Sequence, residues 1–172
     1  MPVCIATFED IPALLLLVNS AYRGESSKQG WTTEAHLLKG DKRTDAEALM
    51  YMMQTPGTAF LKYINDGGVI EGSVFLHKKE NRLYLGMLSV NPALQTKGIG
   101  KTLMSAAEDF AKQTQCTSIY MTVISVRHEL INWYERRGYY KTGEKQPFPA
   151  NDSFGVPTQH LEMLVMEKKL PI

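Results

Sequence analysis

The sequence has no long apolar run, little cysteine and almost no net charge, and each lack excludes something. No unbroken apolar stretch is longer than Ala13–Val18, which is far short of the roughly 18 residues that a membrane-spanning helix needs. No membrane partner is expected. The first Lys or Arg is Arg23, behind Glu9 and Asp10, so the basic n-region of a secretory signal is missing and no such signal is expected. Cys4 and Cys116 are the two cysteines, too few for a disulfide framework and without C-x-x-C metal-ligand spacing. Lys plus Arg is 19 against 18 for Asp plus Glu, a formal net charge of +1. That balance argues against a nucleic-acid or anionic-membrane partner held by bulk charge. Repeats, low-complexity tracts and linkers are also missing. What remains is 172 residues, 44% hydrophobic and 22% charged, the composition of a folded domain rather than a disordered chain. The length suits one domain over residues 1–172, burying roughly 70% of its unfolded surface. A reduced, cytoplasmic location is the expectation.

Periodicity sets out the elements. Val3–Thr7 reads as a strand; Asp10 stands at an N-cap position with Pro12 in the first helical turn. Leu14, Leu17, Val18 and Ala21 follow at helical spacing. Arg23–Gly30 reads as a loop and Trp31–Lys39 as the start of a second helix, while Thr44 and Glu47 have capping-box spacing for a third segment through Met53. Ala59–Ile64, Val69–His77 and Leu83–Val90 alternate like strands, separated by Asn65–Gly68 and Lys79–Arg82 turns. A helix over Gly98–Thr114, a strand over Ser118–Ile124, and a short helix over Glu129–Arg137 stopped by Gly138 come next. Residues 142–160, with Pro147, Pro149 and Pro157, read as a long loop before a last strand, Leu161–Leu170. The class is α/β around one sheet.

The informative segment is Val90-Asn91-Pro92-Ala93-Leu94-Gln95-Thr96-Lys97-Gly98-Ile99-Gly100-Lys101-Thr102. A strand ends, the chain turns, and two glycines open an amphipathic helix. Glycine there lets backbone N–H groups approach an anion, and the helix N-terminus adds partial positive charge. A tight turn without a ligand would use the same residues. A dinucleotide fingerprint fails, because its third small residue would be Leu103. A nucleotide P-loop matches only at Gly100-Lys101-Thr102, with Gln95 in place of its first glycine.

Gln95-Thr96-Lys97-Gly98-Ile99-Gly100 matches the pattern Q/R-x-x-G-x-G/A in full, and Trp133-Tyr134-Glu135-Arg136-Arg137-Gly138-Tyr139 follows after another strand. On these two blocks the sequence resembles the GNAT superfamily of acetyl-CoA-dependent N-acetyltransferases, most clearly over Val69–Thr142. The resemblance implies a central, mostly antiparallel sheet splayed between its fourth and fifth strands and flanked by helices. It implies that acetyl-CoA, without a metal, binds the backbone of Gln95, Thr96, Lys97, Gly98, Ile99 and Gly100, with Lys101 and Thr102 at the helix start. The pantetheine arm would lie along Leu88 and Val90 like an added strand. A bulge there would aim a backbone N–H at the thioester carbonyl, stabilising the oxyanion of the tetrahedral intermediate. Tyr134 holds the family's position for the acid that protonates the leaving thiolate; a tyrosine there also packs the short helix onto the sheet.

Two positions depart from the pattern. An Asn that contacts the coenzyme in many members is His128 here, which either makes the same contact or caps the helix. Leu85-Gly86-Met87-Leu88-Ser89 offers no acid to serve as base, leaving Glu34 and His160 as candidates beside a water chain or an amine already neutral. In this fold the first helices wall the acceptor site, and here they offer Tyr22, Trp31 and Glu34 together with Arg23, Glu25 and Arg43. Aromatic walls and a carboxylate suit a cationic amine, whereas arginines suit a carboxylate; Trp31 and Tyr22 serve equally as helix packing. Phe148 and Phe154 belong to a lid or an exposed connector. The expected activity is direct acetyl transfer to a small-molecule or amino-acid-like primary amine. A protein lysine or N-terminus as acceptor, and a catalytically silent CoA-binding sensor, are the alternatives. A homodimer sharing Leu161–Leu170 strands stays open.

Overall fold

The computed structural model describes residues 2–23, 27–40, 42–149 and 155–171. The strands are β1 (Val3–Ile5), β2 (Leu38–Lys39), β3 (Thr58–Ile64), β4 (Ile70–Lys79), β5 (Arg82–Val90), β6 (Ser118–Ile124), β7 (Tyr140–Pro147), β8 (Val156–Pro157) and β9 (Glu162–Lys169). The helices are α1 (Ile11–Tyr22), α2 (Ala46–Gln54), α3 (Ile99–Gln113) and α4 (His128–Glu135). Seven strands form one sheet in the order β1-β3-β4-β5-β6-β9-β7, and β2 pairs with β8 separately. Every neighbouring pair in the large sheet is antiparallel except β5 and β6. Those two run parallel and pair only over Arg82–Tyr84 against Ser118–Tyr120. Beyond Tyr84 they separate, which is the splay expected between the fourth and fifth strands of the family's sheet.

Helices cover both faces, and period-two alternation along β4 shows how. Val74 and Leu76 point to one side, where Leu103, Met104 and Ala107 of α3 bury them. Phe75 points to the other and packs with Phe60, Leu14 of α1 and Leu49 of α2. A central strand buried on both faces reads as a continuous apolar run, as Val74-Phe75-Leu76 does. Gly72 sets how closely α3 approaches: a Cβ there would stand 2.8 Å from Ile99 and 2.9 Å from Leu103. The first turn of α3 is thereby held hard against the sheet.

Four expectations need correction. Trp31–Lys39 is not a helix: it runs through turns into β2, because Leu37 and Leu38 bury against Ile124 and Leu161. That burial outweighs a weak local preference. Residues 142–160 are not a continuous loop, since β7 extends to Pro147 and pairs with β9. An edge strand is exposed throughout and needs no apolar alternation, and its register shifts around Gly143 at φ +92°. The cap of α2 is Asp45, whose side chain accepts from the Ala48 N–H at 2.8 Å, rather than Thr44. Asp10 does not cap α1 through its side chain; it accepts from the Thr7 N–H and pairs with Lys62 at 2.9 Å.

Candidate active site

The splay leaves the end of β5 with one face unpaired, and there the strand is irregular. Phe75 pairs with Gly86 and Ser73 with Ser89, so Met87 and Leu88 together face Val74. This is a β-bulge, one residue too many on one strand. Met87 takes φ +51°, a left-handed conformation that costs a non-glycine residue on the order of 1–3 kcal/mol. Two braces hold it. The Ser89 hydroxyl donates to the Met87 carbonyl at 2.9 Å, and the Tyr22 hydroxyl, from the end of α1, donates to the Leu88 carbonyl.

After β5 the Asn91 side chain accepts from the Ala93 N–H and Pro92–Leu94 forms a 3-10 turn. Gly98 then starts α3 at φ +82°, with open space where a Cβ would project. Its glycine is therefore demanded by backbone conformation, not by crowding. The Gln95 side chain is occupied: its amide nitrogen donates to the Val90 carbonyl at 3.1 Å and its oxygen accepts from the Thr32 N–H at 3.1 Å. Gln95 thus ties this turn to the segment after α1, leaving only its backbone for a ligand.

Beside the turn lies a cavity of about 260 Å³. Val90, Thr96, Gly98, Gly100 and Lys101 form one wall, and Trp31, Leu130, Trp133 and Arg137 form another. Trp31 and Trp133 meet at a ring separation of 6.1 Å, and the Arg137 guanidinium stacks 3.5 Å over Trp133. The buried Arg137 Nε has no hydrogen-bond partner among the described residues.

A second cavity, of about 270 Å³, occupies the splay between β5 and β6. It shares Tyr22, Leu88, Leu130 and Tyr134 with the first, so these four stand where the two cavities meet. The Tyr134 hydroxyl has no hydrogen-bond partner among the described residues. Burial pushes its pKa well above the usual 10, and burial likewise pushes Tyr22 up to about 12. Glu34 and three arginines also line this second cavity. Glu34 Oε1 accepts from Arg23 at 3.0 Å and Oε2 from Arg127 at 3.1 Å, and Arg127 donates in addition to the Thr32 carbonyl at 2.6 Å.

Of the residues expected from the sequence, Leu88, Val90, Gln95, Thr96, Gly98, Gly100, Lys101 and Tyr134 converge on the first cavity. Ile99 points into the core and offers only its backbone; Thr102 bonds its own helix at the Gly98 carbonyl. Lys97 and His128 are exposed and line neither cavity. Trp31 faces the first cavity rather than the second. His160 is exposed beside Glu162, at 3.6 Å, and Glu34, with both oxygens held by arginines, is poorly placed as a base. Glu25 and Phe154 lie outside the described residues; Phe148 lines the second cavity. Sequence reasoning missed Arg127 and Arg137, which only the folding of distant segments brings inward. No group of three or more His, Cys, Asp or Glu among the described residues is placed to hold a metal, and no described helix is long and apolar enough to cross a membrane.

Comparison with known proteins bears on the fold and the family. An acetyltransferase of Agrobacterium fabrum is 28% identical over 89 residues, 52% of this chain and 64% of that protein. The match thus spans less than two thirds of the relative's length. The ribosomal-protein-S18-alanine N-acetyltransferase of Escherichia coli superposes with a TM-score of 0.72 over 99% of this chain and 94% of its own, at 13% identity. A putative acetyltransferase from Salmonella typhimurium, solved with its cofactor acetyl-CoA, gives 0.69 over 99% and 94%, at 19% identity. Likenesses at such identities establish the fold. The profile of the acetyltransferase (GNAT) family matches residues 16–139, from within α1 to the residue after Gly138, and the chain belongs to that family.

Proposed function

We propose that the protein transfers the acetyl group of acetyl-CoA directly to a primary amine of a small, amino-acid-like molecule. The observation that carries this reading is the meeting of two cavities at Leu88 and Tyr134. One has the backbone cradle that suits a pyrophosphate, and the other has room for a small acceptor. Acetyl-CoA supplies an acyl thioester whose leaving group is a thiol.

The backbone N–H groups from Gln95 to Gly100, at the start of α3, hold the pyrophosphate. Lys101 and Arg137 add positive charge from opposite walls. Leu88 and Val90 present strand backbone to the pantetheine arm. The bulge at Met87–Leu88 turns a backbone N–H toward the carbonyl oxygen, where negative charge develops as the amine nitrogen bonds to the acyl carbon. Tyr134 gives its proton to the sulfur as the carbon–sulfur bond breaks, and the proton shed by the nitrogen restores the phenol. Burial keeps Tyr134 protonated at any physiological pH, and the same burial raises the sulfur's demand for a proton.

No acid on β5 draws the proton from an arriving ammonium. The second cavity supports another route. It sets three guanidiniums against one carboxylate, and like charge nearby makes an ammonium easier to deprotonate. A cavity walled by β5, β6 and Phe148–Pro149 also favours a small acceptor over a protein chain, which would suit a flatter, acidic groove.

Thermal unfolding with acetyl-CoA, CoA or magnesium ATP added separately tests the reading. A ligand at a hundred times its Kd stabilises the fold by about 2.7 kcal/mol. Stabilisation by both CoA species and not by ATP is expected; a response to ATP alone, or to none, overturns the coenzyme site. Thiol release with amine acceptors then separates an enzyme from a silent CoA-binding sensor.

A further inference from the structure

We propose that Arg43 receives a carboxylate of the acceptor, so that the substrate is an amino acid with its carboxylate free. The inference rests on the acetyltransferase reading and names its acceptor.

The charge in the second cavity is uneven. Glu34 is the one acid among its described lining residues, and both of its oxygens are held by Arg23 and Arg127. Arg43 lines the same cavity, half-buried, and its guanidinium makes no hydrogen bond or ion pair among the described residues. A cation partly removed from water and left without a counter-charge is unfavourable. It is also the side-chain type whose planar fork matches a carboxylate with two parallel hydrogen bonds.

The backbone beneath Arg43 is fixed although its side chain is not. Asn19 of α1 accepts from the Arg43 and Thr44 N–H groups and donates to the Thr44 carbonyl. The guanidinium therefore projects from a pinned segment rather than a mobile loop, which lowers the entropy cost of binding. Its charge is felt by both Tyr22 and Arg23, which places it near the wall where the two cavities meet. Met121, Val123, Ile124, Met163 and Phe148 give the cavity a largely apolar lining as well. An acceptor with its carboxylate on Arg43 and its amine toward Leu88 and Tyr134 turns its side chain to that lining. An apolar amino acid fits this description. The volume of about 270 Å³ lies just below the ~300–1,000 Å³ usual for ligand pockets, suiting a molecule of that size.

Arg43 binds and positions the acceptor; it takes no proton. The test is thiol release from acetyl-CoA with leucine, methionine and phenylalanine, each beside its carboxamide. The carboxamides carry the less basic amine, so any preference for the free acid is understated. We expect kcat/KM about 10- to 100-fold higher for the acids, the range of a hydrogen bond to a charged group. Arg43→Met is expected to shrink the preference for acids over carboxamides by a similar factor, through KM for the acids, while stabilisation by acetyl-CoA persists; Arg43→Lys restores part of the loss. Equal turnover of acid and carboxamide overturns the proposal. So does an Arg43→Met variant that impairs both alike, or a panel in which no free amino acid is acetylated. If acetyl-CoA itself fails to stabilise the protein, it is the underlying acetyltransferase reading that falls.

Discussion

The two cavities on either side of Tyr134 are built from different materials. The first has main chain along one wall: a glycine in a left-handed turn, a helix N-terminus and the end of a bulged strand, all within residues 88–101, with Trp31, Leu130, Trp133 and Arg137 across from them. The second uses side chains, with Arg23, Glu34, Arg43 and Arg127 collected from positions up to 104 residues apart. A site made of main chain fixes which group it holds, because its N–H geometry follows from the backbone path and survives side-chain substitution. A site made of side chains is free to change its acceptor. The division suits a fold that keeps one donor molecule and varies the other.

Substitutions on each side should separate these two designs. The largest effect is expected from Glu34→Ala. It removes the carboxylate that Arg23 and Arg127 share in a buried setting, and removing one partner of such a group costs about 3–5 kcal/mol. At roughly 2–4 °C per kcal/mol for a chain of this size, the melting temperature should fall by roughly 6–20 °C. A fall of a degree or less would mean that water already relieves the arginines. Tyr134→Phe, at the seam, should lower kcat by about 100-fold while stabilisation by acetyl-CoA persists; unchanged turnover would remove Tyr134 from proton transfer. On the main-chain side, Gly98→Asp puts a side chain at φ +82° and a negative charge before the anion. It should erase the roughly 2.7 kcal/mol of acetyl-CoA stabilisation in a protein that still melts cooperatively, and a retained shift would displace the cradle from this turn.

Two smaller effects sharpen the contrast. Tyr22 bridges both cavities and titrates at about 12 in the fold against about 10 unfolded. The unfolded chain loses that proton first, so the stabilisation is whole below pH 10 and declines as pH rises toward 12. The cost is about 1.4 kcal/mol per pH unit in that window. Melting curves from pH 8 to 11, read beside phenolate absorbance, should show a decline that Tyr22→Phe reduces. Asp45→Ala, which removes the cap of α2 outside both cavities, should cost about 1 kcal/mol and leave every kinetic constant alone. A change in KM there would show that α2 is coupled to the acceptor side.

The same contrast decides what the sequence made legible. The turn from Val90 to Thr102 could be read because a strand end, two glycines and a helix start are contiguous and each residue type has a local physical reason. The central strands were legible from alternation. The pairing of Glu34 with Arg127 was not, since 93 positions separate them and no local pattern marks a buried arginine. Arg127 stands next to His128, the residue to which motif spacing drew attention, and it is Arg127 that turns inward. The conformation of segment 31–39 was not legible locally because it depends on Ile124 and Leu161, from distant parts of the chain. Strand β7 was misread because an exposed edge carries no apolar signature.

The parallel contact between β5 and β6 has a mechanical consequence. Three residue pairs, at Arg82–Tyr84 and Ser118–Tyr120, are all the ladder that joins the β1-β3-β4-β5 half of the sheet to the β6-β9-β7 half. The halves are thus hinged at one end, and the far ends face one another across a gap that an inserted chain can bridge. A pantetheine arm lying there would act as a rung between two strand edges that the ladder leaves apart, in halves that share one hydrophobic core. Those amide hydrogens of β5 and β6 beyond the hinge that face the gap, rather than β4 or β9, should then exchange slowly only when the coenzyme is bound, while those of β4 and β9 keep the same protection in either state.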